Sequence, residues 1–232
     1  MGNNNGFEIV SVSKDYQRGG ETTTIFDELN MEIPGGLFLA LMGPSGSGKT
    51  TLLNLLAGVD RPSGGQISFG GQRIDNLSQA AMAEWRARNI GFIFQSYNLL
   101  PMLSAEQNVS LPLSLVRMSS ATKKSRVAAA LDLVGLSHRA KHMPSQLSGG
   151  EQQRVAIARA IVGDAPVLLC DEPTGNLDRA VASEVLELLR DLNGELGKTV
   201  VMVTHDQRAA GYATLAMQLD KGRFVDMALS TA

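Results

Sequence analysis

The sequence predicts an α/β fold in which a parallel sheet forms the core and a helical segment is inserted into it. Short apolar stretches alternate with amphipathic stretches before about residue 95 and again after about residue 163, a pattern typical of parallel α/β domains. Between residues 96 and 162 strand patterns become rare and helical patterns dominate. Hydrophobic residues make up 44% of the 232 residues, which is enough to bury a sizeable core.

In the first part of the chain, apolar alternation predicts strands and helical spacing predicts two helices. The turn Pro34-Gly35-Gly36 separates the second and third strands, and Gly58 is placed to end the first helix. The expected elements are strands at 7–16, 23–33 and 37–43, a helix at 50–58, a strand at 66–71, a helix at 78–89 and a strand at 90–94.

The middle of the chain is expected to be mostly helical. Apolar residues at 127, 130, 131 and 134 share one helix face, and Gly135 ends that helix. A second helix begins after Ser148, which forms an S-x-x-E capping box with Glu151. The remaining expected elements are a strand at 167–170, a helix through 181–192, a strand at 198–206, a short helix, and weak strands near 214–219 and 223–227.

Charge, cysteine content and hydropathy argue against several classes of protein. The net charge of −2, with no basic run, argues against nucleic-acid binding. The single cysteine, Cys170, excludes an internal disulfide and fits a reducing compartment. The start of the chain lacks a secretory signal, and Asn5 and Gly6 replace the Ser or Thr of a myristoylation motif at Gly2. Because no apolar run approaches the roughly 18 residues of a membrane span, any span is expected on another polypeptide.

The segment GPSGSGKT at 43–50 has the pattern G-x-x-x-x-G-K-[ST] between a predicted strand and a predicted helix. In this context the glycines let backbone N–H groups surround phosphates, Lys49 reaches the β- and γ-phosphates, and the Thr50 hydroxyl binds Mg²⁺. The alternative, an ordinary glycine turn before a helix, does not account for the lysine and threonine. The residues expected to bind the nucleotide here are Gly43, Pro44, Ser45, Gly46, Ser47, Gly48, Lys49, Thr50 and Thr51.

Polar side chains at the ends of further strands extend this predicted site. Asp171 is expected to hold Mg²⁺ and Glu172 to orient or deprotonate the attacking water, because alternation along a strand gives the two acids different directions. His205 ends another strand, at the edge where ligands of open α/β sheets bind, and is expected to contact the γ-phosphate or the water. Gln95 follows a third strand and is expected to reach Mg²⁺ or water. Tyr16 is expected to stack on a purine, and a core or surface aromatic is the alternative.

A second glycine-rich segment, LSGGEQQR at 147–154, raises a separate question. The capping box explains Ser148 and Glu151, but Gly149 and Gly150 weaken a first helical turn. Glycines at a helix N-terminus expose backbone N–H groups that can bind an anion. The sequence therefore contains two predicted phosphate-binding segments that lie far apart along the chain.

These motifs, in this order, resemble an ABC-type ATPase over nearly the whole chain. The segment LSGGEQQR is highly specific for that family, and FIFQSYNLLPMLSAEQNVSLP at 92–112 with DEPTGNLD at 171–178 resembles the subgroup of LolD, MacB and FtsE. The resemblance implies a P-loop NTPase (RecA-like) core at 1–95 and 163–232 with an antiparallel β subdomain, and an inserted α-helical subdomain at 96–162. It also implies an ATPase that uses ATP and Mg²⁺. Such an ATPase serves a membrane subunit in lipoprotein release, export of macrolides or peptides, or cell division.

In that family the second glycine-rich segment closes the ATP site of a neighbouring subunit. The resemblance therefore implies a two-fold, head-to-tail dimer in which ATP holds two copies of the chain together and hydrolysis releases them. The residues implied to contact the γ-phosphate in trans are Ser148, Gly149, Gly150 and Glu151.

The resemblance also assigns residues outside the phosphate site. Tyr16 is implied to stack on adenine, and Asp178 to lie in a loop that crosses to the partner site. Residues near 96–104 are implied to line the groove for a cytoplasmic helix of an integral membrane permease subunit. The chain is then peripheral on the cytoplasmic face of the inner or plasma membrane.

Some features depart from the family pattern, and alternative functions stay open. Leu37 stands where Glu is common, and Cys170 where Ala is common. Gln95 and Ser148 are too close in sequence to hold the coiled-coil arms of a DNA-repair or chromosome-organising ATPase. The segment LLPMLSAEQNV at 99–109 disfavours a soluble assembly ATPase. A cell-division ATPase of the FtsE type, which signals across a membrane without moving a substrate, is not separated from an exporter.

Overall fold

Ten strands and seven α-helices make up the described part of the chain, residues 5–225 of a computed structural model. The strands are β1 (Phe7–Arg18), β2 (Glu21–Ile33), β3 (Phe38–Met42), β4 (Gly64–Phe69), β5 (Gln72–Arg73), β6 (Ile90–Phe94), β7 (Val167–Asp171), β8 (Thr199–Val203), β9 (Leu215–Asp220) and β10 (Arg223–Val225). The helices are α1 (Lys49–Leu56), α2 (Gln79–Asn89), α3 (Ala105–Ser110), α4 (Ser120–Leu133), α5 (Gly149–Ile161), α6 (Arg179–Gly194) and α7 (Gln207–Ala210). Short 3₁₀ turns at Leu111–Leu115, Ser137–Arg139 and Pro144–Gln146 connect α3, α4 and α5.

The larger sheet has six strands in the order β10-β9-β3-β8-β7-β6. Strands β6, β7, β8, β3 and β9 run parallel, and β10 pairs antiparallel with β9. The register pairs Phe94 with Asp171, Asp171 with Val203, and Val203 with Leu41. The carboxyl ends of four strands therefore meet at one edge, where the polar residues that follow them are brought together.

The smaller sheet is antiparallel, with strands in the order β2-β1-β4-β5. Its inner face contributes Phe7, Val12 and Phe26 to the same apolar cluster as α1. The β1–β2 register shifts between Ile9 and Val12, where Ser11 has a positive φ of 47°. Such an irregularity bends a strand pair, and here it lets the sheet curve over α1.

The two glycines predicted to end helices do so through the same hydrogen-bond pattern. After α1, the N–H of Gly58 donates to Leu55 O (3.0 Å) and that of Val59 to Asn54 O (2.9 Å). After α4, Gly135 and the residue that follows it repeat this pattern at 2.9 and 2.8 Å. Both glycines have positive φ, 61° and 72°, as a Schellman motif requires.

The chain between β6 and β7 folds as a helical layer around α3, α4 and α5. Its apolar side chains Val109, Val127, Leu131 and Val155 are buried in one cluster with residues of the six-stranded sheet. Asn108 is fully buried, and its side chain bonds backbone groups of the preceding loop at 2.8–3.1 Å. This amide holds the loop that leads from the sheet into the helices.

The predicted order of elements is present, with two additions. The two-residue strand β5 and the short helix α3 were not expected, because neither is long enough to show a clear period. The strand expected at 223–227 extends to Val225, and its last two positions lie outside the described residues, as does Gly2. Within residues 5–225, no helix combines the length and apolar character needed to cross a membrane.

Candidate functional site

A loop between β3 and α1 encloses one side of a cleft of about 480 Å³. The loop bends so closely against the sheet that a Cβ atom at Gly43 would clash with the Leu219 carbonyl oxygen. At Gly48, φ is 103° and a Cβ would lie 2.9 Å from the Phe26 ring. These two positions therefore need glycine. The cleft is lined by Ile25, Gly43, Pro44, Ser45, Gly46, Gly48, Lys49, Thr50, Thr51, Glu172, Val203 and His205.

Lys49 places a positive charge at the floor of this cleft. Its ammonium donates to the carbonyl oxygens of Gly43 (2.7 Å) and Pro44 (2.8 Å) and is only 9% exposed. Within residues 5–225 no carboxylate lies within ion-pair distance of it. A buried cation that has only neutral acceptors favours the entry of an anion.

Thr50, which lines the cleft, is in contact with Asp171. The Thr50 hydroxyl is 3.4 Å from each carboxylate oxygen of Asp171. Burial, and then the charge of Glu172, raise the pKa of Asp171, while Thr50 and Lys49 partly oppose the shift. A bound cation would stabilise the ionised carboxylate and so lower the pKa of Asp171.

This pair fits Mg²⁺ by its chemistry, because a hydroxyl and a carboxylate are the hard oxygen donors that Mg²⁺ prefers. In the part of the chain that the structure describes, no group of three or more His, Cys, Asp or Glu side chains is arranged to hold a metal. Phosphate oxygens and water would therefore have to complete the coordination, as is usual for Mg²⁺ at nucleotide sites.

Glu172 and His205 form a pair on the opposite wall of the cleft. The distance between His205 Nδ1 and Glu172 Oε2 is 2.8 Å. Strand β7 ends at Asp171, and Glu172 has a left-handed backbone with φ of 48° while its N–H donates to Val203 O at 3.0 Å. The direction of this acid is thus set by a strained turn rather than by strand alternation, and strain of this kind clusters at functional sites.

Gln95 is exposed and does not line the cleft. Its amide donates to Asn176 Oδ1 at 3.3 Å, and Asn176 Nδ2 donates back to Gln95 O at 3.1 Å. A Cβ at Gly175 would lie 2.7 Å from Gln95 Nε2. The structure therefore brings the Gln95 side chain to the loop that follows Glu172.

The second glycine-rich segment begins α5 as predicted. Ser148 Oγ accepts from Glu151 N at 3.3 Å, and Glu151 Oε2 accepts from Ser148 N at 2.8 Å, which confirms the capping box. Glu151 uses its other oxygen to accept from Arg139 Nε at 3.0 Å. None of the residues at 148–151 lines the cleft of the same chain.

Gly149 and Gly150 are also required by local packing. A Cβ at Gly149 would lie 2.9 Å from the Tyr97 hydroxyl, and one at Gly150 would overlap Cγ1 of Val181 in α6. Asp178 caps α6 by accepting from the N–H groups at 180 and 181, at 3.0 and 3.1 Å. Tight helix packing is therefore a second reason for glycine here, independent of any ligand.

Sequence reasoning missed several residues around the site. Gln153, fully buried in α5, donates to Pro173 O at 2.5 Å and so ties α5 to the loop after Glu172. Ile25 lines the cleft from β2. Asp60 accepts from the Tyr16 hydroxyl at 2.7 Å, and Tyr16 itself lies outside the cleft lining. No local pattern marks Gln153, Ile25 or Asp60, because each acts through a partner distant in sequence.

The sequence and the fold of this chain are similar to those of known proteins. The family model described as ABC transporter matches residues 26–175. A lipoprotein-releasing system ATP-binding protein, LolD, from Idiomarina loihiensis is 44% identical over 86% of this chain and 87% of its own length. A macrolide export ATP-binding/permease protein, MacB, from Burkholderia pseudomallei is 42% identical over 94% of this chain, which spans 33% of that protein. A dimeric post-hydrolysis structure of the ATP-binding cassette MJ0796 bound to ADP and Pi has a TM-score of 0.87 and 38% identity, over 95% of this chain and 97% of that one.

Proposed function

Because the chain belongs to the ABC transporter family and carries its ATPase domain, we propose that it hydrolyses ATP to drive a separate membrane subunit. The family and fold class predicted from the sequence are confirmed. The observation that carries the proposal is the single cleft in which buried, unpaired Lys49 faces the Glu172–His205 pair. A cation to hold phosphates and a carboxylate to receive a proton are the two groups that hydrolysis needs.

In the proposed reaction, Lys49 and the N–H groups of the loop bind the β- and γ-phosphates. Thr50 and Asp171 would hold Mg²⁺, which would supply positive charge next to the transferred phosphoryl group. Glu172 Oε2 lies 2.8 Å from His205 Nδ1, and Glu172 Oε1 is the oxygen that we propose receives a proton from the attacking water. The water oxygen bonds to the γ-phosphorus as the bond to the β-phosphate oxygen breaks, so ADP and phosphate leave.

We further propose that the site is completed by a second copy of the chain, arranged head to tail. The cleft is open, and the segment at 148–151 does not reach it within one chain. Ser148 Oγ accepts from Glu151 N, so its own hydrogen is available to donate to a γ-phosphate. Asp178, at the start of α6, is placed in the loop that would cross between the copies. Gln95 would join the site when the two chains close.

The proposed membrane partner docks between the sheet and the helical layer. Residues near 96–104 include exposed Leu100 (43%) and Met102 (67%). Beside them a cavity of about 240 Å³ is lined by Phe92, Phe94 and Arg159, among others. A short cytoplasmic helix of an integral membrane permease fits this arrangement. The chain would then be peripheral on the cytoplasmic face of the membrane.

We place the subdomain boundaries at the ends of β6 and α5. Residues 1–95 and 163–232 then form the nucleotide-binding core with the β subdomain, and residues 96–162 form the helical subdomain. Because β6 and β7 are parallel neighbours in the sheet, the helical subdomain leaves the core at the carboxyl end of β6 and re-enters it at the amino end of β7.

The expected transport is export or extraction from the membrane, as the names of LolD and MacB suggest for a substrate such as a lipoprotein, macrolide or peptide. An FtsE-like cell-division ATPase is the second candidate, and a soluble assembly ATPase the third. Affinity capture from detergent-solubilised membranes separates the first candidate from the third. A partner with about four spans and a large extracytoplasmic domain supports the first, and capture of soluble proteins alone supports the third.

The proposed dimer is tested by the substitution Glu172→Gln. The variant keeps the phosphate-binding loop but loses the proton acceptor, so we expect no turnover and an ATP-dependent dimer detected by light scattering. Glu187→Gln, an exposed position in the middle of α6, is the matched control and should hydrolyse ATP normally. A Glu172→Gln protein that binds ATP yet stays monomeric would contradict the trans site.

A further inference from the structure

Three side chains form a hydrogen-bonded network between β1 and the turn after α1. Lys14 and Tyr16 lie two residues apart in β1, and Asp60 follows α1. Lys14 Nζ is 2.7 Å from Asp60 Oδ1, and the Tyr16 hydroxyl donates to Asp60 Oδ2 at 2.7 Å. The ammonium also lies 4.6 Å from the centroid of the Tyr16 ring. One carboxylate thus holds both the cation and the aromatic ring.

We propose that Asp60, held in place by Lys14, is a positioning residue that fixes the Tyr16 ring to receive the nucleobase. The inference rests on the proposed function and on the stacking of Tyr16 on adenine that the family resemblance implies. It adds that the base-binding surface is built before the nucleotide arrives. It also assigns a role in base recognition to two residues that never touch the base.

The exposure of the three side chains supports this arrangement. Lys14 is only 7% exposed, whereas Tyr16 is 40% exposed. The buried ammonium needs a nearby negative charge, and it also bonds Arg61 O at 2.8 Å. The cation covers one side of the Tyr16 ring and leaves the remaining surface accessible. An aromatic ring polarised by a cation on one face presents its other face to a stacking partner.

Asp60 stays ionised at neutral pH. Burial alone would raise the pKa of Asp60, but hydrogen bonds from Lys14, Tyr16 and Arg61 N–H outweigh it, so the pKa lies below its usual value. Burial and the Asp60 hydrogen bond raise the pKa of Tyr16, and the nearby Thr51 side chain partly opposes them. Because Thr51 also lines the phosphate cleft, the Tyr16 hydroxyl lies near the start of α1.

Fixing the ring in advance lowers the cost of ordering it when nucleotide binds. Immobilising a free side chain at a binding surface weakens affinity by about threefold to tenfold. That effect should appear with a ligand that carries a base and be absent with one that does not. A purely structural role of the Lys14–Asp60 pair would instead affect both ligands, because the loop at 43–50 packs against the same helix.

The experiment compares MgADP with magnesium pyrophosphate, which share the diphosphate and differ in the adenosine. Their affinities are measured by titration calorimetry for the wild type, Asp60→Asn, Tyr16→Phe, the double variant and Tyr16→Ala. Asp164→Asn is the matched control, because Asp164 is the ion-pair partner of another buried lysine. Its Oδ1 lies 2.5 Å from Lys198 Nζ. That pair lies at the opposite edge of the sheet, where β8 begins.

We expect Asp60→Asn and Tyr16→Phe each to weaken the affinity for MgADP about threefold to tenfold, and the affinity for pyrophosphate by less than about twofold. Both changes break the same contact, so the double variant should lose no more affinity for MgADP than the more affected of the two single variants. Asp164→Asn should bind both ligands normally.

Three results would overturn the inference. If Tyr16→Ala weakens MgADP but Asp60→Asn does not, adenine stacking stands and the positioning role fails. If Tyr16→Ala leaves the affinity for MgADP unchanged, the implied stacking of Tyr16 on adenine is wrong, and the inference is wrong with it. If Asp60→Asn weakens the affinities for MgADP and pyrophosphate equally, the network stabilises the loop at 43–50 and has no role in base recognition.

Discussion

Replacement of Gly150 by alanine separates two reasons for the glycine pair at the start of α5. The new Cβ would overlap Val181 Cγ1 and lie 3.6 Å from Val181 Cβ. Valine in a helix has one strongly preferred χ1 rotamer, so its methyl group cannot readily rotate away from the new Cβ. Overpacking of this kind costs about 1–3 kcal/mol, and the gain in helix propensity from glycine to alanine offsets up to about 1 kcal/mol.

Because the overlap with Val181 is severe, the cost is expected in the upper half of that range, about 2–3 kcal/mol. Subtracting a propensity gain of about 1 kcal/mol leaves a net loss of roughly 1–2 kcal/mol of unfolding free energy, or about 2–8 °C in Tm for a chain of this size. Thermal unfolding measured by circular dichroism checks the value. Gly194→Ala is the matched control, because it lies in a helix and its Cβ would meet no atom within 4 Å. That control should be neutral or stabilised by up to about 1 kcal/mol.

The double variant Gly150→Ala/Val181→Ala decides what the glycine is for. Removing Val181 Cγ1 relieves the overlap, so the stability loss should be smaller than the sum of the two single losses. If Gly150 also binds a phosphate in trans, ATPase activity stays low although stability recovers. Recovery of activity to the level of Val181→Ala would refute the ligand role, and an unchanged Tm in Gly150→Ala would refute the steric argument.

Three further predictions concern the ionisable groups Asp171, Asp75 and Cys170. Because the pKa of Asp171 is raised, first by burial and then by Glu172, the native state binds the proton more tightly, and its stability falls as pH rises from the unfolded pKa through the folded one. Asp171→Asn should therefore raise the Tm of the metal-free protein at neutral pH while ATPase activity is lost. Asp75→Asn should lower the Tm, because the bonds from Arg73 and a backbone N–H outweigh burial and depress the pKa of Asp75. Burial raises the pKa of Cys170 far above its usual value, so a maleimide should label the thiol only after unfolding; rapid labelling of the native protein would contradict this burial.

Local sequence determined the elements whose signals lie within a few residues. The capping box of Ser148 and Glu151 and the helix-ending glycines Gly58 and Gly135 appear where they were expected, because the hydrogen bonds that define them span fewer than about six positions. The strand–loop–helix context of GPSGSGKT is local in the same way. The roles of the site residues within that context remain predictions.

Tertiary structure decided what depends on contacts between distant parts of the chain. The strand order brings Asp171 and Glu172 beside the phosphate-binding loop, although more than a hundred residues separate them from Thr50. No periodicity could show that Gln95 pairs with Asn176, or that Gly150 packs against Val181.

The sequence by itself determined the longer helices and strands and the loop predicted to bind phosphate, since hydrogen bonds and side-chain periods between near neighbours define them. The arrangement of strands, the pairing of Glu172 with His205 and the anchoring of Tyr16 by Asp60 were decided only in three dimensions. Each of these joins residues distant along the chain, and only the close packing of the whole core fixes which of them meet.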